Sequence, residues 1–184
     1  NALDAGFAPF LDGTGNLQNY PDSISKWTLD VSNADLSGGE SDYFKIMNGK
    51  LEACDVDGPV SWISESIDVS EFNKIKFSML IHEDGDLESN DYLDVFYKAD
   101  DSTFKRLTSW EDSYGDDEHT LIGDYPDDDD WTSLLIYKKN IMADSLKLMV
   151  KMNNNSGTEY IQLDEVVVEQ DNVKPEPSNH ALDF

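Results

Sequence analysis

The sequence predicts an all-β domain, an antiparallel two-sheet β-sandwich of the jelly-roll type, and three observations point there. From Lys26 onward, short segments of alternating apolar and polar residues follow one another, which is what a half-buried strand requires, because successive side chains point to opposite faces. Clusters of Asp, Gly, Asn and Ser separate the segments, and these are turn formers. No stretch repeats apolar residues at i, i+3, i+4 and i+7 over three turns, so helices are minor at most. Roughly ten strands of this length in one domain fit a sandwich better than a closed barrel.

Taken in order, residues 1–25 are rich in Gly, Asn, Asp and Pro and read as an irregular lead-in packed on the domain, with Phe7, Phe10 and Leu11 as its apolar contacts. Strands are predicted at 26–31, 43–47, 51–56 and 60–69. At 74–82 the alternation is clearest: Ile75, Phe77, Met79 and Ile81 share one face, while Lys76, Ser78 and His82 take the other. The segment 92–98 is more evenly apolar and reads as a central strand. Further strands are expected at 104–109 and 132–138, and at 146–152 with Leu146, Leu148, Val150 and Met152 inward. In the last strand, 161–168, Ile161 and Leu163 lie on odd positions but Val166 and Val168 on even ones. A one-residue bulge at Asp164-Glu165 restores a continuous core face. The module therefore spans 26–169, and 170–184, with Lys174-Pro175-Glu176-Pro177, reads as a linker and the start of a following domain.

Composition narrows the function. The 184 residues carry 39 Asp and Glu against 13 Lys and Arg, a net charge of -26. Charge of that sign repels phosphate backbones and anionic membranes, so neither nucleic acid nor membrane is an expected partner. It suits salt-rich surroundings or neutralisation by divalent ions. The chain is not a disordered acidic tail, because 39% hydrophobic residues, including 4 Trp, 8 Tyr and 8 Phe, supply a core. The single cysteine, Cys54, sits in an apolar-alternating run and reads as a buried inert thiol. There is no basic region followed by an apolar stretch, and no run of about 18 apolar residues, so neither a signal peptide nor a membrane-spanning helix is expected.

Calcium is the expected cofactor. An inward Asp164 beside the bulge needs a partner, since an unpaired buried charge costs several kcal/mol, and lysines are few. Solvation at a sheet edge is the other reading of Asp164. Two loops supply oxygen donors suited to a hard cation that takes six to eight oxygens: Asp55 and Asp57 before a Gly-Pro turn, and the segment 82–91, with Glu83, Asp86 and Asp91. Neither matches the complete helix-loop-helix calcium motif, and Asp and Gly also serve simply as turn formers. The acidic stretch from Glu111 to Asp130, with the run Asp127 to Asp130, reads as a solvated loop, and a second, weaker calcium site is its other reading.

Trp27, Trp62 and Trp131 sit in strand patterns and read as core. Trp110 instead enters a polar loop with Glu111, Tyr114 and, nearby, Tyr125. Aromatic rings stack on the C–H faces of sugars while acids and amides hold hydroxyls, so these four residues are the candidate ligand site. His82, His119 and His180 are scattered, and no Gly-x-Ser-x-Gly, His-Glu-x-x-His or phosphate-binding glycine loop occurs. A catalytic role is not expected.

The segments 131–138, 145–152 and 161–168 resemble the closing half of jelly-roll carbohydrate-binding modules, whose last strand ends in an apolar-Asp-Asp/Glu-Val sequence. Residues 27–44 followed by Asn48-Gly49-Lys50-Leu51-Glu52-Ala53 are similar to their opening half, and also to MAM adhesion domains. The span 27–169 resembles modules appended to secreted multidomain enzymes and adhesins of marine Bacteroidetes. The closing Asn179-His180-Ala181-Leu182-Asp183-Phe184 resembles the opening strand of a laminin-G-like or concanavalin-like lectin domain. The resemblance implies a structural calcium at Asp164, with Asp30, Asp42 or the Asp55/Asp57 pair as its early-strand partner. It also implies a secreted or cell-surface module, non-catalytic, that binds polysaccharide and adjoins neighbouring domains of the same chain. A structural or adhesion spacer without a sugar site is the alternative.

Overall fold

The structure, a computed structural model, describes residues 10–11, 17–18, 27–39, 41–85, 87–88, 90–107 and 132–171. Among these there is no helix. The strands are β1 (Phe10–Leu11), β2 (Leu17–Gln18), β3 (Trp27–Asp30), β4 (Tyr43–Met47), β5 (Lys50–Cys54), β6 (Val60–Ser64), β7 (Ile67–Asp68), β8 (Ile75–Asp84), β9 (Tyr92–Ala99), β10 (Lys105–Arg106), β11 (Thr132–Ile141), β12 (Ser145–Asn153) and β13 (Tyr160–Gln170). They form two antiparallel sheets, a seven-stranded one in the order β11-β8-β13-β5-β4-β1-β2 and a six-stranded one in the order β10-β9-β12-β6-β3, with β7 beside β12. Consecutive strands repeatedly cross between the sheets, so the chain closes into a sandwich, as the alternation predicts.

The core is the set of inward side chains from both sheets. Phe44, Leu51, Ala53, Phe77, Met79, Ile136, Ile161 and Leu163 from the seven-stranded sheet meet Trp62, Leu93, Val95, Leu146, Leu148, Val150 and Met152 from the other, all of them fully buried. Each such Val, Leu, Ile, Phe or Met side chain contributes about 1.5–3 kcal/mol on leaving water. Trp27 and Trp62 stack within this core. Cys54 is buried and free, and burial, with the neighbouring Asp55 charge, pushes its thiol up to about 12. Trp131 lies outside the described residues.

The bulge falls where the broken alternation places it. Across β13 and β8, Asp164 pairs with Leu80 and Val167 with Ser78, so three steps on one strand match two on the other. Glu165 takes φ 47°, and Val166 beyond it returns to the core at 2% exposure. Two predicted strands are shorter than their patterns. The 60–69 segment splits into β6 and β7, and only Lys105–Arg106 of 104–109 is a strand, with 108–109 outside the described residues. Within the lead-in, β1 pairs with β4 at Leu11 and Phe44, which extends the sheet by backbone hydrogen bonding.

Candidate functional site

One corner of the sandwich gathers carboxylates. The chain leaves β8 through Gly85 at φ 101°, where an added Cβ would meet the Thr158 carbonyl oxygen at 2.5 Å, so only glycine lets this loop lie against residues 158–159. Asn153 Nδ2 donates to the Asn90 carbonyl at 2.8 Å. Asp91 N–H donates to the Glu88 carbonyl at 2.9 Å, and Glu88 N–H donates back to Asp91 Oδ2 at 2.7 Å. On the facing turn the buried Asn154 donates from Nδ2 to the carbonyls of Ala53 at 3.2 Å and Glu159 at 2.7 Å.

These contacts bring one carboxylate oxygen each from Glu88, Asp91 and Glu159 within 4.8 Å of one another, a group able to hold a metal ion. Asp91 is 1% and Glu159 3% exposed. Asp91 Oδ1 is buried with no hydrogen-bond partner among the described residues, and so is Oδ1 of Asn153, the residue whose amide nitrogen holds the Asn90 carbonyl. Burial pushes the Asp91 carboxyl up to about 6, and burial followed by the Asp91 charge pushes Glu159 up to about 7. Unsatisfied buried oxygens and mutually repelling carboxylates are what a cation relieves. With neither His nor Cys in the group, the donor set is hard.

The residues singled out from sequence fall in different places. Asp91 stands in this corner. Asp55 is half-buried and Asp57 exposed, both in the left-handed region at φ 47° and 45°, beside the buried Asp42, whose oxygens accept from Gly38 N–H and Ser41 Oγ. Burial first, then the charges of Asp42 and Asp57, raise the Asp55 carboxyl. Glu83 is half-buried near the end of β8, and burial pushes it up to about 7. Asp164 lies at the bulge on the outer face of the seven-stranded sheet, its Oδ1 accepting from Glu165 N–H at 2.7 Å. At the rise of a strand it stands roughly 17 Å along the chain from Glu159. Asp86, Trp110, Glu111, Tyr114 and Tyr125 lie outside the described residues. Sequence reasoning passed over Glu159 and Asn153, whose only signal was their place at the turn opposite the 82–91 loop.

The outer faces of the two sheets differ. On the seven-stranded sheet, Tyr43 Oη and Gln162 Nε2 both donate to the carboxylate of Glu52, and Tyr43, Glu52 and Cys54 are buried. There the polar groups are spent on one another. The outer face of the six-stranded sheet is built in rows. Thr28, Ile63, Met149, Phe96 and Arg106 are successive cross-strand partners, which makes an apolar strip of Ile63, Met149 and Phe96. A row to one side holds Asp30, Ser61, Lys151 and Asp94. A row to the other holds Lys147 opposite Lys98. Phe96, Met149 and Ile63 are half-buried, with Lys151 Nζ 5.6 Å from the Phe96 ring centre. Arg106 lies 3.9 Å from Asp94. Tyr92 and Asn153 end this face, so it borders the carboxylate corner.

No family model and no curated protein matches this chain. Solved structures that it is similar to include the carbohydrate-binding module TmCBM61 in complex with beta-1,4-galactotriose, at 10% identity and TM-score 0.42, covering 79% of this chain and 82% of that one. Another is a cleaved adhesin domain of Lys-gingipain from Porphyromonas gingivalis, at 12% identity and TM-score 0.41, covering 83% and 94%. A third is a family 16 carbohydrate binding module, at 11% identity and TM-score 0.38, covering 82% and 89%. At these scores none of the three assigns a ligand to this chain.

Proposed function

We propose that this chain is a non-catalytic carbohydrate-binding module, stabilised by calcium, that holds an attached secreted protein on extracellular polysaccharide. The observation that carries the carbohydrate reading is the outer face of the six-stranded sheet. Phe96, Met149 and Ile63, in one outward row, lie outside the core cluster and supply an apolar strip for the C–H face of a sugar ring. Asp30, Ser61, Lys151 and Asp94 on one side and Lys147 and Lys98 on the other supply polar groups to hold hydroxyls. Calcium is the cation proposed for Glu88, Asp91 and Glu159, because three carboxylates, one with a buried oxygen that has no hydrogen-bond partner among the described residues, offer hard ligands of the kind this ion takes.

The test is a polysaccharide screen with the wild-type chain, followed by Phe96→Ala and Trp110→Ala on each ligand retained. Loss of retention in Phe96→Ala with an unchanged melting temperature supports the sheet face. Loss confined to Trp110→Ala moves the site to the loop of Trp110, Glu111, Tyr114 and Tyr125. A structural or adhesion spacer is the second reading, favoured by the carboxylate corner, since a cation held there would rigidify a module whether or not it binds sugar. A screen without hits, joined to a large loss of melting temperature on chelation, selects it.

A further inference from the structure

We propose that the cation of the carboxylate corner governs one local motion; this rests on reading Glu88, Asp91 and Glu159 as a cation site. With the cation bound, the crossover from β8 to β9 is closed on the turn between β12 and β13. Without it, that crossover opens while both sheets stay folded.

Both connections pass between the sheets at the same end of the sandwich, since β8 and β13 belong to the seven-stranded sheet and β9 and β12 to the six-stranded one. They are held unequally. The β12–β13 turn is tied to a third crossover, from β5 to β6: Val56 N–H and Asp57 N–H donate to the Asn154 carbonyl at 3.0 and 3.1 Å. The buried Asn154 side chain adds its bonds to the carbonyls of Ala53 and Glu159. The β8–β9 crossover has less. Among the described residues one hydrogen bond, from Asn153 Nδ2 to the Asn90 carbonyl, joins it to the facing connection, and Leu87 is its one member of the core cluster. The reciprocal bonds between Glu88 and Asp91 lie within the crossover and tie it to nothing else.

The carboxylates sit astride this weak join. Glu88 and Asp91 ride on the crossover and Glu159 on the turn, with one oxygen of each within 4.8 Å of the others. Asp91 and Glu159 are buried, so their repulsion is poorly screened. It acts across the gap and parts the crossover from the turn. Asp91 Oδ1, buried with no hydrogen-bond partner among the described residues, gains nothing from the closed form unless a cation meets it. A cation held by all three carboxylates turns the repulsion into a bridge. Segments with few buried apolar contacts open well below the cost of global unfolding, and this crossover gives up only Leu87.

The experiment is residue-resolved amide hydrogen exchange on the wild-type chain in chelator and in calcium, with calorimetric titration supplying Kd. Once the crossover is in water, its internal Glu88 and Asp91 bonds protect little, so these two amides report the opening. In chelator they should exchange at least about a hundredfold faster than those of Leu148 and Val150 in β12, and low urea should leave their rates unchanged, as an opening that exposes little surface requires. Calcium at a hundredfold excess over Kd should slow both about a hundredfold, because only the closed form binds it. Glu159→Gln, on the facing turn, should slow both in chelator, since it removes the charge that pushes from the other side and leaves the Glu88 and Asp91 bonds in place. Exchange of all these amides at one rate and with one urea dependence means that the crossover opens only with the whole fold, and overturns the proposal. Rates at Glu88 and Asp91 that bound calcium or Glu159→Gln leaves unchanged overturn it too, and all these results leave the cation site standing. No calcium bound in the titration overturns the site as well.

Discussion

Asp91→Asn is expected to change the sign of its effect on stability according to whether calcium is present. Asp91 is 1% exposed and its carboxyl is pushed up to about 6, chiefly by burial. Keeping it ionised at pH 7 without a cation costs roughly 3 kcal/mol relative to the unfolded chain. Glu159, pushed up to about 7, costs a similar amount, and the two are not additive because each feels the other. Asparagine removes the charge while retaining an acceptor for the Glu88 N–H that bonds Asp91 Oδ2 at 2.7 Å. In chelator the variant should therefore melt at or above wild type, by up to about 6–12 °C, since 1 kcal/mol is worth about 2–4 °C in a domain of this size. With calcium at a hundredfold excess over Kd, wild type gains about 2.7 kcal/mol, roughly 5–11 °C, and the variant loses most of that gain. The assay is a pair of thermal melts, with chelator and with calcium, backed by calorimetric titration. A variant that melts below wild type in chelator, with calcium moving neither curve, refutes the reasoning. The pH dependence follows from the same groups. Carboxyls raised above their unfolded values cost stability as pH rises, so the calcium-free protein should lose stability between about pH 4 and 7, from the unfolded carboxyl values to the raised ones. Over that range calcium affinity should rise, because binding needs the ionised forms.

Glu83 gives a simpler test, because burial alone pushes it up to about 7. Glu83→Gln should flatten the fall in melting temperature between about pH 4.5 and 7, and a parallel fall in both proteins contradicts that origin. At the bulge, deleting Glu165, the extra residue, leaves Leu163 and Val166 two positions apart with both on the core face, and should cost little in denaturant melts. Glu165→Gly, which relieves φ 47°, should be neutral or stabilising by up to about 1 kcal/mol. A deletion that costs several kcal/mol contradicts the reading of Glu165 as the extra residue. Trp62→Ala should cost about 3–5 kcal/mol, because Trp62 is fully buried against Trp27, and a smaller loss by urea titration implies that the core refills the space.

The sandwich and the bulge were legible because both are matters of period. An apolar side chain at every second position fixes which face is core, and the shift from odd to even positions between Leu163 and Val166 leaves one physical remedy, an extra residue. The cation corner was legible only in part. Asp91 is visible as an acid in a polar loop, but Glu159 joins it from a turn far along the chain, and only the Gly85 contact and the Asn153 and Asn154 hydrogen bonds bring the two together. Asp164 drew attention by position, yet the closing strand puts it on the outer face of the seven-stranded sheet, away from that corner. The apolar strip was not legible at all. Met149 and Phe96 are ordinary strand residues until the pairing of β12 with β9 sets them side by side, facing outward.

The most direct test of the account is affinity electrophoresis of wild type and Phe96→Ala through gels containing the polysaccharide that wild type binds. Wild type should be retarded, and Phe96→Ala should run as it does in an empty gel while melting at the wild-type temperature. Equal retardation of the two proteins contradicts the claim that this sheet face holds the sugar.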